Sequence, residues 1–337
     1  MAWVTAFERP HSWCGLLIST LILLTAGCTV NPPISLEQLA PANEEAVQLE
    51  VPFFAQTAFQ CGPAALAGVL NNSGVETHPD ILSQQVYLPE REGSLQVELL
   101  AASRREGRIA YVLDPQPGHL LTELAWKRPV LVLQNLRTPG FPAWHYAVLT
   151  GFDTEANEFI LNSGTEEHLR LDARKFLRTW DWADRWAMIV LQPGEMPSMP
   201  DADKYLTAVA NFEATAGSDA ATPAWNAARN IWPDDGRPYL ALGNAAYQKA
   251  DLADAAGYYR RGLRLDPLEP SLINNLASVL GESGCPHEGI TLLTPALESL
   301  EPTNPWHQVL RNTLDELSRA AEDPTASCRE IAGVGRG

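Results

Sequence analysis

Residues 51–74 read VPFFAQTAFQCGPAALAGVLNNSG. An extended apolar start at Val51–Phe54 gives way to a turn, and a run rich in alanine and leucine begins at Cys61 and stops at Asn71–Gly74. Pro63 suits the first turn of a helix, where its missing N–H has no intrahelical use, and the Asn-Asn-Ser-Gly end supplies the stop. The spacing therefore predicts a helix starting near Cys61. A thiol in that position sits at the positive end of the helix dipole, which favours thiolate and lowers the thiol pKa.

Downstream, the pattern predicts helices at 79–87, 94–106 and about 117–126, with strands at 109–113 and 130–134. After the turn Thr138-Pro139-Gly140-Phe141-Pro142 come strand patterns at 144–152, 158–162 and 168–171, then a helix near 172–180 and a strand at 187–191. Helices first and hairpin-linked strands later point to an α+β domain rather than a doubly wound parallel sheet. His145 opens the 144–152 strand and Asn162 ends the next one. In an antiparallel hairpin turning at Asp153–Asn157, the start of one strand lies beside the end of the other, so these two side chains are expected to be neighbours. A thiol at a helix start, an imidazole to take its proton and an amide to orient the ring make a Cys–His–Asn arrangement suited to acyl transfer. Asp153 competes for the third role, although its place before Thr154-Glu155 suits a turn former. His78, His119 and His168 have no matching partner and read as surface residues.

Gln56 with Cys61-Gly62-Pro63-Ala64, followed by His145-Tyr146-Ala147-Val148-Leu149-Thr150-Gly151 and Phe159-Ile160-Leu161-Asn162, resembles the double-glycine-leader (bacteriocin-processing) cysteine peptidases. The resemblance implies a papain-like fold, with Cys61 as nucleophile and His145 as general base and acid. It also implies an oxyanion hole formed by the Gln56 side-chain amide with the Cys61 N–H. Asn162 falls where most members of that family have Asp, and no transporter module follows. The resemblance implies no metal or cofactor, and it implies a peptide or protein substrate.

The N-terminus carries Arg9, an uncharged apolar stretch from Cys14 to Ala26, and Leu24-Thr25-Ala26-Gly27-Cys28. The stretch is too short for a span of about 20 residues and fits a secretory signal. Its end resembles the lipobox of bacterial lipoproteins, which makes Cys28 the expected lipidation site. Thr29, rather than Asp, implies an outer-membrane anchor facing the periplasm. A formal charge of −17, from 24 Lys and Arg against 41 Asp and Glu, repels phosphate backbones, so no nucleic-acid partner is expected.

Beyond 203 the period changes. Ile231-Trp232-Pro233, Leu265-Asp266-Pro267 and Leu300-Glu301-Pro302 recur at spacings of 34 and 35, each closing an amphipathic run. This resembles the tetratricopeptide repeat, with a degenerate first unit at 204–233 and a capping helix at 305–321. Stacked repeats make a concave surface for a protein or peptide partner. Cys285 and Cys328 could pair in an oxidising compartment, leaving Cys61 free.

The expected order is signal peptide 1–27, lipid-anchored tether 28–50, α+β papain-like cysteine peptidase domain 51–193, linker 194–202, all-α tetratricopeptide-repeat solenoid 203–322 and tail 323–337. A membrane-anchored cysteine peptidase is the expected function. The alternative is a non-catalytic envelope lipoprotein scaffold using the same two parts for binding.

Overall fold

The computed structural model describes residues 34–42, 44–55, 60–322 and 328. The segment expected as a signal peptide, Cys28 and Gln56 lie outside the described residues. By contacts the chain divides into Met1–Ile34, of which only Ile34 is described, and a second unit, Ser35–Gly337.

The first part of that second unit runs β1 (Ala46–Gln48), α1 (Cys61–Asn72), α2 (Pro79–Val86), α3 (Gln96–Arg105), β2 (Ile109–Val112), α4 (Pro117–Ala125) and β3 (Val130–Asn135). It continues through β4 (Trp144–Asp153), β5 (Glu158–Ser163), β6 (Glu166–Asp172), α5 (Ala173–Asp181) and β7 (Ala187–Leu191). The strands form an antiparallel sheet in the order β2-β7-β3-β4-β5-β6, and β1 joins β4 beyond the end of β3. Helices before hairpins give the expected α+β architecture. β3 and β7 are buried along their whole length, which is why they read as unbroken apolar runs rather than alternating ones. α1 packs on β4 and α5 on β3.

Residues 28–50, expected as a tether, contribute to this body from Leu36 onward. Leu36 is fully buried and its N–H bonds the Asn157 side chain at 3.0 Å, while Ala46–Gln48 pair with Gly151–Asp153 of β4. Three prolines and a three-residue strand leave little period to read, so the sequence pattern passes over it.

The rest of the described chain is helical: α6 (Ala202–Ala216), α7 (Ser218–Ile231), α8 (Arg237–Gln248), α9 (Leu252–Leu265), α10 (Pro270–Glu282), α11 (Pro286–Ser299) and α12 (Pro305–Ala321). Each packs on the next in sequence, as in a stack of helical hairpins. α7, α9 and α11 begin at Ser218, Leu252 and Pro286, 34 residues apart, which matches the period of the sequence. Caps fix the starts: Asp201, Asp251 and Asn304 each accept a backbone N–H of the helix that follows. Cys285 and Cys328 form a disulfide that ties the start of α11 to the chain beyond α12, and Cys61 is free. Among the described residues no helix is long and apolar enough to cross a membrane.

The proline-rich stretch 193–200 is bound down. The Ser198 N–H and hydroxyl both donate to the buried Glu123 carboxylate at 2.8 Å, and Arg128 pairs with Glu123 while donating to the Met196 carbonyl at 3.2 Å. α6 then packs on β2 and α3, with Tyr205 fully buried beside Tyr111. One hydrophobic core thus runs from Leu36 to Leu242, through both parts.

Candidate active site

α1 begins at Cys61 itself, and Pro63 occupies its first turn as the sequence predicts. Gly62 follows because Ser94 lies directly against it: a Cβ at Gly62 would sit 2.5 Å from the Ser94 Oγ. From the sheet side, β4 brings His145 and Tyr146 to the same place. Cys61, Ser94, His145 and Tyr146 line one cleft of about 740 Å³, with Trp144 on its exposed rim.

The sulfur receives backbone N–H groups from Tyr146, Gly62 and Cys61 itself. Burial nevertheless outweighs them and pushes the Cys61 thiol above its ordinary pKa, against the lowering expected from a helix start alone. Burial also pulls the His145 pKa down, since the charged imidazolium is the form that loses its water. Both shifts favour the neutral thiol beside the neutral ring. No hydrogen bond joins the Cys61 sulfur to the His145 ring among the described residues.

The ring's partner is Ser163, whose Oγ lies 2.9 Å from His145 Nε2. This differs from the expected Asn162. Asn162 stands opposite Val148 in the β4–β5 ladder, and Val148 lies three residues from His145, so the two side chains leave opposite faces of the sheet. Asn162 is instead a buried brace. Its amide donates to the Val51 carbonyl at 3.3 Å and its oxygen accepts the His168 N–H at 3.1 Å. It thereby ties the segment leading toward residue 56 to β6. Asp153 holds its own turn, accepting the Ala156 N–H at 2.9 Å, and pairs with Arg170.

His78 caps α2 by accepting the Asp80 N–H at 3.3 Å, as a surface residue can. His119 is less exposed than expected and faces Asp114. His168 is half-buried rather than on the surface, with its Nδ1 3.5 Å from the Gln48 amide.

Ser163 and Ser94 are the site residues that sequence reasoning passed over. Ser163 adjoins Asn162 and is reached only through the register of the hairpin. Ser94 carries no motif of its own. The Tyr146 hydroxyl donates to the Ser94 carbonyl at 3.2 Å, and the Tyr146 ring packs edge-on against Trp186. One strand therefore fixes both the imidazole and the wall opposite it. A thiol, an imidazole with one nitrogen anchored, and converging N–H groups can together perform nucleophilic acyl transfer without a metal.

Residues 48–188 match the family described as the Peptidase C39 like family. A solved structure of a Bacillus anthracis protein classed as a C39-like peptidase is 17% identical, covers 44% of this chain and 98% of that chain, and has a TM-score of 0.37. No curated protein matches the chain. The stretch similar to that family holds the thiol, the imidazole and most of the sheet that places them.

Proposed function

We propose that the chain is a cysteine peptidase in which Cys61 attacks a peptide carbonyl and His145 moves the protons. The observation that carries this reading is the shared cleft of Cys61 and His145 with the ring anchored through Nε2 to Ser163. That anchor leaves Nδ1 to take the thiol proton when substrate closes the site, since catalytic hydrogen bonds are often long before substrate binds. The sulfur then bonds the carbonyl carbon, the imidazolium protonates the departing amine, and His145 next activates the water that releases the acyl group. Gln56 would supply a side-chain donor to the oxyanion beside the Cys61 N–H.

The rest of the proposal concerns place and partner. Leu24-Thr25-Ala26-Gly27-Cys28 supports lipidation of Cys28, and the Cys285–Cys328 disulfide supports an oxidising compartment such as the periplasm. A groove of about 310 Å³, lined by Leu206, Ala210, Trp225 and Leu240 among others, supports recruitment of a peptide or protein by the helical part.

The test compares peptides that accumulate in the envelope of cells carrying the wild-type chain, Cys61→Ala or His145→Ala. Peptides that rise equally in both variants identify substrates; identical peptide sets in all three reject the reading. A second reading, a scaffold that keeps the fold for binding, is favoured by the absent sulfur–imidazole bond and by the shift of both groups toward their neutral forms. It predicts that Cys61→Ala keeps every function of the wild type.

A further inference from the structure

Among the described residues, three buried side-chain polar atoms have no hydrogen-bond partner: Ser94 Oγ, Arg104 Nε and His168 Nε2. Ser94 alone of the three residues lines the cleft that holds Cys61 and His145. A buried hydroxyl left unpaired is costly, and native proteins keep such groups where a ligand or a reaction completes them.

The surroundings make room for it. The Gly62 position has no Cβ, and one added there would lie 2.5 Å from the Ser94 Oγ and 2.7 Å from its Cβ. The glycine after the nucleophile thus admits the serine to the helix start. Ser94 is also held from behind, its carbonyl accepting the Tyr146 hydroxyl, while the Tyr146 N–H reaches the Cys61 sulfur. Its own hydroxyl takes no part in that network.

We propose that Ser94 is a further hydrogen-bond donor of the site, its hydroxyl completing its bonding only when the acyl oxygen of a substrate gains negative charge at Cys61. This rests on the peptidase reading and adds a residue to it. In acyl transfer the sulfur forms a bond to the carbonyl carbon, and the π electron pair moves onto oxygen. The pair returns as the leaving group departs with the bonding electrons, and the thiol proton passes to His145. A donor at that oxygen acts on the charged intermediate and not on the free thiol.

The test uses two small reagents on the full chain, with Cys61→Ala as background. p-Nitrophenyl acetate acylates Cys61 through a charged oxygen and releases p-nitrophenol. Iodoacetamide alkylates the same sulfur by displacing iodide, with no such oxygen. Ser94→Ala is expected to slow acylation about ten- to a hundredfold, to change alkylation less than twofold, and to leave the thermal midpoint equal or higher because the deleted hydroxyl loses no partner. Equal changes in the two rates, no change in either, or a lower midpoint each overturn the role of Ser94. A wild-type ratio of acylation to alkylation no higher than that of free cysteine overturns the peptidase reading as well. A raised wild-type ratio that survives in Ser94→Ala overturns the Ser94 proposal alone.

Discussion

The His145 ring is held at Nε2 by a hydroxyl, and a hydroxyl brings no charge to stabilise an imidazolium. A carboxylate in that place would favour the charged ring and, through it, a thiolate at Cys61. With burial lifting the thiol and lowering the imidazole, the wild-type pair rests neutral. Alkylation of Cys61 should therefore climb only toward alkaline pH, because the thiolate appears above the ordinary thiol pKa. Ser163→Asp is expected to add a shoulder on the acid side, as the raised imidazole pKa lets the ion pair form near neutrality. The pH profile of iodoacetamide labelling checks this, and superimposable profiles for wild type and variant would reject it. The Cys61 helix and the His145 strand were legible in sequence because both rest on local pattern. The third residue was not, because its identity turns on one step of register. Near the turn, Asp153 pairs with Glu158 and Gly151 with Ile160, a register that would bring Asn162 opposite Leu149, on the face of His145. A bulge between Leu149 and Gly151 shifts the ladder by one, places Asn162 opposite Val148 and hands that face to Ser163.

The bulge lies where β4 meets β1, an element that the sequence pattern hides. β1 crosses β4 at Gly151, so closely that a Cβ there would collide with the Val47 carbonyl oxygen. Neither backbone can retreat cheaply: Leu49 donates to the Thr150 carbonyl at 2.7 Å, and β1 is paired along its length. Gly151→Ala is expected to cost about 1–3 kcal/mol or more, the range for overfilling a packed site. The same variant should weaken the His145–Ser163 contact, since it strains the residue that sets the register. Urea unfolding measures the first effect and Cys61 labelling the second. Gly140→Ala is the control, as a Cβ there meets nothing within 4 Å. A Gly151→Ala chain as stable as this control would show that β1 is not fixed on β4. The longer elements, by contrast, fall within a residue or two of their sequence-read limits. The run at 187–191 is the strand β7, and the 79–87 pattern is the helix Pro79–Val86, because apolar period and capping alone decide such segments.

Across the whole molecule, the helical part is both stapled at its far end and merged with the α+β part at its near end. The disulfide joins residues 43 apart and encloses α11 and α12. Closing such a loop restricts the unfolded chain by about 4 kcal/mol in the chain-entropy account. Cys328→Ser is therefore expected to lower the melting temperature, and added reductant should lower that of the wild type alone. The near end behaves differently, because no boundary in the core separates the two parts. The sequence suggests a loose linker at 194–202, as prolines and a change of period mark one. The structure instead buries Tyr205 of α6 beside Tyr111 of β2, and the Tyr205 hydroxyl donates to the Glu195 carbonyl at 2.8 Å. Lys204 pairs with Asp114 across the same junction. A chain cut after Pro193 loses this cover from β2 and from α3, whose first residues adjoin Ser94. It should unfold at lower temperature than the full chain and lose the slow, alkaline labelling profile of the half-buried Cys61. A chain cut after Ala250 keeps α6 to α8, and with them the core as far as Leu242, and should retain that profile. If the shorter fragment instead melts cooperatively at the temperature of the longer one, the α+β part is self-sufficient and the helices only adjoin it.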